Sequence, residues 1–243
     1  MRLSVNELEI LTRKAAVGAG IDYGYAVEAA QSLVWLRAAG VDCIAGFLDC
    51  LRAWMDRETA PVAPAYERDG CILSGPAGKT ASALYAAPAV GDFSALMIKD
   101  GHPTGVEVRN VELPCLVLAQ LARQPWADAL VVRCLEPGGA PQRWTALILV
   151  CRDAWTVSVA GDVAGRRPAH IRVAVAQPSR PAMIDVEPGE TVSTPDFRAL
   201  FARGVSIETD HYEALRQFYD RTLVPDSESS RLRGAGAGLV DSD

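Results

Sequence analysis

Thr59-Ala-Pro-Val-Ala-Pro-Ala-Tyr66 is where the chain changes character, and its reading decides the fold. Rich in proline and alanine, it reads as a connector and a boundary. Upstream of it apolar residues recur at helical spacing, and downstream short apolar runs alternate with turn residues. The two patterns together predict an α+β fold: an N-terminal three-helix region, a mixed β-sheet core with a few helices, then a C-terminal helix and an ordered tail. The expected units are a helical head over 1–58, a mixed core over 67–223 and a Gly/Ser-rich tail over 224–243 that packs on the core or on a neighbour.

Upstream, Ser4-Val-Asn-Glu7 is a capping-box pattern that opens a first helix, on which Leu8, Leu11, Ala15 and Ala19 share a face until Gly18 and Gly20. A second helix follows Asp22 or Gly24 and runs to Gly40, and a third starts near Asp42 with Phe47, Leu48, Leu51 and Met55 on one side. Downstream, strand-like runs occur at Cys71–Leu73, Ala95–Ile98, Val106–Val108, Ala129–Leu135, Trp144–Cys151, Trp155–Ala160 and His170–Val175. The runs at 129 and 146 are nearly continuously apolar, as strands covered on both faces are. A helix from about Leu113 to Arg123, with Pro114 in its first turn, interrupts them. Two more helices close the fold, Thr194 to Gly204 and Thr209 to about Thr222.

The totals exclude several functions. With 243 residues, 49% hydrophobic and 22% charged, the composition is that of an ordinary globular protein. A formal net charge of -6 disfavours a phosphate-backbone binder, so no nucleic-acid partner is expected. The longest apolar run, Ala146–Cys151, is far short of the roughly 20 residues that cross a bilayer, and the opening Met1-Arg-Leu-Ser-Val-Asn-Glu lacks a signal-peptide apolar region. A cytoplasmic protein without membrane contact is expected. Six cysteines without a C-x-x-C pair read as reduced, buried side chains, and the spacing offers no metal site.

Several short motifs invite chemistry. Ser74-Gly-Pro-Ala-Gly-Lys-Thr80 ends like a phosphate-binding loop, but Leu73 stands where that motif needs glycine, so a surface turn is expected. Gly234-Ala-Gly-Ala-Gly238 lacks dinucleotide spacing, and no cofactor is predicted. His102, in Asp100-Gly-His-Pro-Thr-Gly105, is the histidine best placed to exchange protons, although a plain loop histidine explains the same letters. His170 begins a strand and His211 lies in the first turn of the last helix, where structural roles suffice. Asp92, in Val90-Gly-Asp-Phe93, is either a catalytic carboxylate in a glycine-adjacent bend or a turn former bonded to its own backbone. In the tail, Arg231 or Arg233 could hold a carboxylate in a planar, two-point pairing while Ser229, Ser230 and Gly236 shape a pocket. Composition alone favours disorder there, against which Leu232, Leu239 and Val240 offer apolar anchors.

Two stretches resemble a known family. Leu3-Ser-Val-Asn-Glu-Leu-Glu with Arg13-Lys-Ala-Ala and Gly18-x-Gly20, together with Val224-Pro-x-Ser-Glu-Ser-Ser-Arg-Leu and Gly234-Ala-Gly-Ala-Gly-Leu-Val-Asp-Ser-Asp243, resemble domain-of-unknown-function family 3726 of bacterial proteins. The resemblance implies that the tail is an integral part of the fold, and it brings no activity. The helical head alone is similar to the malate and L-lactate dehydrogenase family that does not use the Rossmann fold. That family reads Gly-Ile-Asp-Ser-His-Gly after its second helix, with the histidine as acid-base group for hydride transfer. Gly40-Val-Asp-Cys-Ile-Ala45 matches it here, and Ile44 stands in the histidine's place, so the resemblance implies that proton transfer at this position is lost and that Asp42 is left as a helix cap.

The expected function is binding or conversion of a small acidic or amino-acid-like metabolite in bacterial metabolism, with Asp92 and His102 as proton-transfer candidates. The alternative is a non-catalytic subunit that assembles with itself or a partner enzyme through its tail. Substrate, reaction and oligomeric state do not follow from the sequence.

Overall fold

The computed structural model describes residues 1–67, 70–99, 105–124, 130–135, 147–151, 154–159, 169–175, 190–192 and 196–223. The chain opens with a short strand, β1 (Arg2–Leu3), and three helices, α1 (Val5–Gly18), α2 (Tyr23–Ala38) and α3 (Ile44–Met55). The capping box forms as the sequence predicts: the Glu7 amide donates to Ser4 Oγ at 3.1 Å and the Ser4 amide donates to Glu7 Oε2 at 2.7 Å. These bonds hold the Glu7 carboxyl below its ordinary value, because they favour the charged form. Gly20 and Gly40 end the first two helices with φ of 89° and 83°, the left-handed backbone that a side chain resists.

The expected connector carries two strands, β2 (Thr59–Ala60) and β3 (Ala63–Glu67), followed by β4 (Gly70–Ser74) and β5 (Thr80–Ala81). Proline is tolerated at Pro64 because, among the described residues, β3 pairs with β4 alone and is an edge strand. Helix α4 (Ala83–Lys99) comes next and replaces the strand expected at Ala95–Ile98. The alanines at 83, 86, 87 and 89 favour helix, and tertiary burial of Leu84, Val90 and Met97 fixes it, which an apolar tetrapeptide read alone does not reveal. Then follow β6 (Val106–Val111), α5 (Pro114–Ala122), β7 (Leu130–Leu135), β8 (Leu147–Cys151), β9 (Ala154–Val159), β10 (Ala169–Val175) and β11 (Glu190–Val192). Closing the described chain are α6 (Phe197–Arg203), β12 (Val205–Ser206) and α7 (Thr209–Asp220). The cap of α6 is Asp196, whose Oδ1 accepts from the Ala199 amide at 2.8 Å, while Thr194 and Pro195 lie outside the described residues.

The fold is α+β. In the main sheet β6 is central: β4 and β5 run parallel to it along one edge, with Cys71 opposite Val106 and Ala81 opposite Val111, and β10 runs antiparallel along the other. β2 extends the sheet beyond β5, β3 beyond β4, and β7 beyond β10. A separate antiparallel sheet has the order β11-β9-β8. Helices α4 and α5 pack together, α4 also lies on β4 and β6, and α2 packs against both helices. Phe47, Leu33, Leu51, Leu73, Leu84, Val108, Leu116 and Leu121 are buried in one core, each worth about 1.5–3 kcal/mol relative to exposure.

The two halves of the described chain also close on each other. β1 pairs antiparallel with β12, and the Met1 ammonium donates to Ile207 O at 2.7 Å. α1 packs on α7 so closely that a Cβ at Gly18 would lie 1.8 Å from Phe218 O.

Candidate functional site

Helix α3 ends at a left-handed turn, and that turn forms one side of an open cavity. The Arg57 amide donates to Trp54 O at 3.1 Å and the Glu58 amide to Ala53 O at 2.9 Å, which requires a φ of 58° at Arg57. Holding a side-chain-bearing residue there is strained, and such strain persists only where the surroundings fix it. Lys79 does so: its Nζ donates to Arg57 O at 2.9 Å, placing a cation on the negative end of α3. The lysine comes from the turn after β4, so the Gly-Lys motif is a turn, as expected, and its side chain serves a site the spacing argument did not anticipate.

Around these two side chains lies a cavity of about 480 Å³ lined by Ala19, Trp54, Met55, Arg57, Thr59, Ala60, Pro61 and Lys79. Neither Arg57 nor Lys79 pairs with a carboxylate among the described residues. Thr59 is only 4% exposed, and its Oγ1 has no hydrogen-bond partner. A buried hydroxyl without a partner costs about 1–3 kcal/mol unless something else meets it. Trp54 forms the apolar wall. It stacks on Tyr85 with ring centroids 4.6 Å apart, Tyr85 meets Tyr25 at 4.5 Å, and the Tyr85 hydroxyl donates to Asp22 Oδ2 at 3.4 Å. Burial pushes the Tyr85 hydroxyl above its ordinary value and the Asp22 carboxylate adds to the effect.

A second polar cluster lies between α2 and α5. Arg123 Nη1 donates to Gln120 Oε1 at 2.9 Å, Ser32 Oγ at 3.1 Å, Glu28 O at 3.3 Å and Glu28 Oε2 at 3.4 Å, while Nη2 donates to Gln31 Oε1. Gln120 Nε2 completes the ring by donating to Glu28 Oε2 at 3.0 Å. Burial draws the guanidinium below its ordinary value while Glu28 draws it back. Its acceptors all come from this chain, so the cluster ties helices together.

The residues singled out from the sequence are scattered. Asp92 lies on the exposed face of α4 rather than in a bend, since Gly91 continues the helix by fitting against Gln124, and it does not line the cavity. His102, Ser229, Ser230, Arg231, Arg233 and Gly236 lie outside the described residues. His211 sits in the first turn of α7 with Nδ1 3.6 Å from Glu208 Oε2. Cys43, Cys50, Cys71 and Cys115 are buried, and burial raises the Cys71 thiol. At the Gly40–Ala45 motif Ile44 is 1% exposed, and Asp42 stands one residue before the N-cap Cys43, where its Oδ1 accepts the Ile44 amide at 3.2 Å and its Oδ2 pairs with Arg37 Nη1 at 2.6 Å.

Trp54, Arg57 and Thr59 escaped sequence reasoning because no spacing links them to Lys79. They meet only where the end of α3, the start of β2 and the turn between β4 and β5 converge. Lys79 carried a signal, the Gly-Lys pair after a strand.

The helical head is closed by the C-terminal helix and rests on the mixed sheet through α4 and α5. The chain has this fold in common with the sulfolactate dehydrogenase of Methanocaldococcus jannaschii, at 11% identity and a TM-score of 0.55 over 90% of this chain and 96% of that one. A candidate malate/lactate dehydrogenase from E. coli matches at 11% identity and 0.57 over 93% and 96%, and a dehydrogenase from Sinorhizobium meliloti at 12% and 0.52 over 90% and 99%. Residues 3–82 match the family described as protein of unknown function DUF3726, so the opening motif falls inside the matched residues and the closing one outside. No curated protein matches the chain in sequence.

Proposed function

We propose that the protein binds a small acidic metabolite in the cavity between the end of α3 and the turn that follows β4. One observation carries the reading: two cations, Arg57 and Lys79, stand without a carboxylate partner among the described residues, beside a buried hydroxyl that lacks a partner there too. An anion would satisfy all three groups, with the guanidinium offering two parallel donors and the ammonium a point charge. Support comes from the names of the proteins that share the fold, which point to small hydroxy acids.

Hydride transfer is not part of the proposal. A nicotinamide reaction needs a proton carrier at the position of Ile44, and a sealed aliphatic side chain carries none, so no step is derived through that cofactor. Should conversion follow binding, His102 is its proposed proton-transfer group, since Asp92 stands outside the cavity lining.

The tail belongs to the proposal through its starting point. Arg221, at the end of α7, donates from Nη1 to Met55 Sδ at 2.7 Å, on the cavity's rim, three residues before the tail begins. From there Arg231 or Arg233 would pair with the ligand's carboxylate, with Ser229, Ser230 and Gly236 shaping the pocket. Thermal shifts across a panel of small mono- and dicarboxylates test the reading. Ligands that stabilise the parent should lose their effect in Lys79→Ala and Arg231→Ala. An unchanged shift in Lys79→Ala removes the cavity, and an unchanged shift in Arg231→Ala removes that arginine from it. Deleting residues 226–243 and weighing the particle by light scattering tests the alternative: an unchanged mass sinks assembly through the tail.

A further inference from the structure

Resting on that reading of the cavity, we infer that its ligand carries a flat, unsaturated ring beside its acidic group, making it an aryl or heteroaryl carboxylate rather than a short aliphatic hydroxy acid. The cavity's chemistry is divided. Arg57, Thr59 and Lys79 supply the polar groups, whereas Ala19, Trp54, Met55, Ala60 and Pro61 supply apolar surface. A three- or four-carbon hydroxy acid is polar along its whole length and leaves that surface uncovered. The volume, about 480 Å³, also lies within the roughly 300–1,000 Å³ of pockets that hold larger ligands.

Trp54 specifies the shape of the apolar part. Tyr25, Tyr85 and Trp54 form a run of three rings with centroids 4.5 and 4.6 Å apart, the last pair 28° from parallel. Trp54 lines the cavity while Tyr85 and Tyr25 do not, so the indole is the ring of this run that a ligand meets. A planar ring in the cavity continues the stack on the face that Tyr85 leaves open. Aromatic pairs favour such offset-stacked arrangements and gain from them beyond the area they bury. With the ring on Trp54, the carboxylate falls to Arg57 and Lys79, and Thr59 Oγ1 donates to it.

Calorimetric titration with phenylacetate, cyclohexylacetate and malate separates the claims, because the first two differ only in ring unsaturation. Phenylacetate should bind the parent about 3- to 10-fold more tightly than cyclohexylacetate, the size of an aromatic pair's contribution. Trp54→Leu should erase that preference and Trp54→Phe should keep most of it, whereas Lys79→Gln should weaken both acids alike. Equal binding of the two ring acids by the parent overturns the inference whatever the variants do. So does malate binding more tightly than phenylacetate, a result that leaves the anion site standing. Failure of all three acids to bind overturns the inference and the anion site together.

Discussion

Two arginine-centred clusters, one at the end of α3 and one between α2 and α5, show how the same side-chain chemistry serves two ends. Arg123 is surrounded by acceptors from α2 and α5, all supplied by the protein, and its side chain is 22% exposed. Arg57 and Lys79 are held in place by the backbone, the first by a left-handed turn and the second by Arg57 O, and their charges face a cavity without a carboxylate. A satisfied cluster stabilises the fold, and an unsatisfied one leaves binding capacity. The difference lies in the supply of acceptors, not in the number of cations.

The largest expected effect therefore belongs to the closed cluster. Arg123→Met leaves Glu28 and Gln120 facing each other without the shared donor, and it should cost about 2–3 kcal/mol, below the usual figure for a broken buried pair because the site is partly solvated. Urea unfolding reads it as a lowered midpoint at constant slope. A cost no greater than that of Lys79→Met would break the comparison.

Next in size is the open cluster's effect on binding. Lys79→Ala should weaken a small carboxylate about tenfold, or about 1.4 kcal/mol, while costing the fold only about 0.5 kcal/mol from the lost contact at the end of α3. Thr59→Val sharpens the same point. The methyl group replaces a hydroxyl that has no partner, so stability should hold or rise by a few tenths of a kcal/mol, while carboxylate affinity falls about threefold, within the worth of one neutral hydrogen bond. A clear loss of stability would show that Thr59 Oγ1 has a structural partner.

The smallest effect is alkaline. The folded protein holds the Tyr85 proton more firmly than the unfolded chain does, so its contribution is complete below the ordinary tyrosine range and is lost as pH rises through the raised folded value. Tyr85→Phe should flatten the decline in melting temperature above about pH 10 relative to the parent.

Much of the fold was legible because its signals are local. The Ser4/Glu7 capping box, Gly20 and Gly40 as stops, Pro114 at a helix start and the period of α7 each need only a few neighbouring residues. The failures have a common cause in long-range packing. Ala95–Ile98 reads as a strand until Val90 and Met97 are seen packed in the core as parts of one helix, and the Thr59–Tyr66 connector hides two strands whose partners lie after it in the sequence. The site was less legible still. Lys79 was visible within a motif whose spacing fails, but its partners at Trp54, Arg57 and Thr59 come from elements that meet only in three dimensions. The buried Ile44 position was readable, because it required only the Gly40–Ala45 match.

The central claim is that Arg57 and Lys79 form an anion site, and one titration reaches it most directly. Phenylacetate titrated into the parent and into Lys79→Ala, at low and at high salt, should show one-to-one binding that is about tenfold weaker in the variant. The salt dependence should shrink in the variant with the loss of the charge. Equal affinity and equal salt dependence in the two proteins would contradict the account.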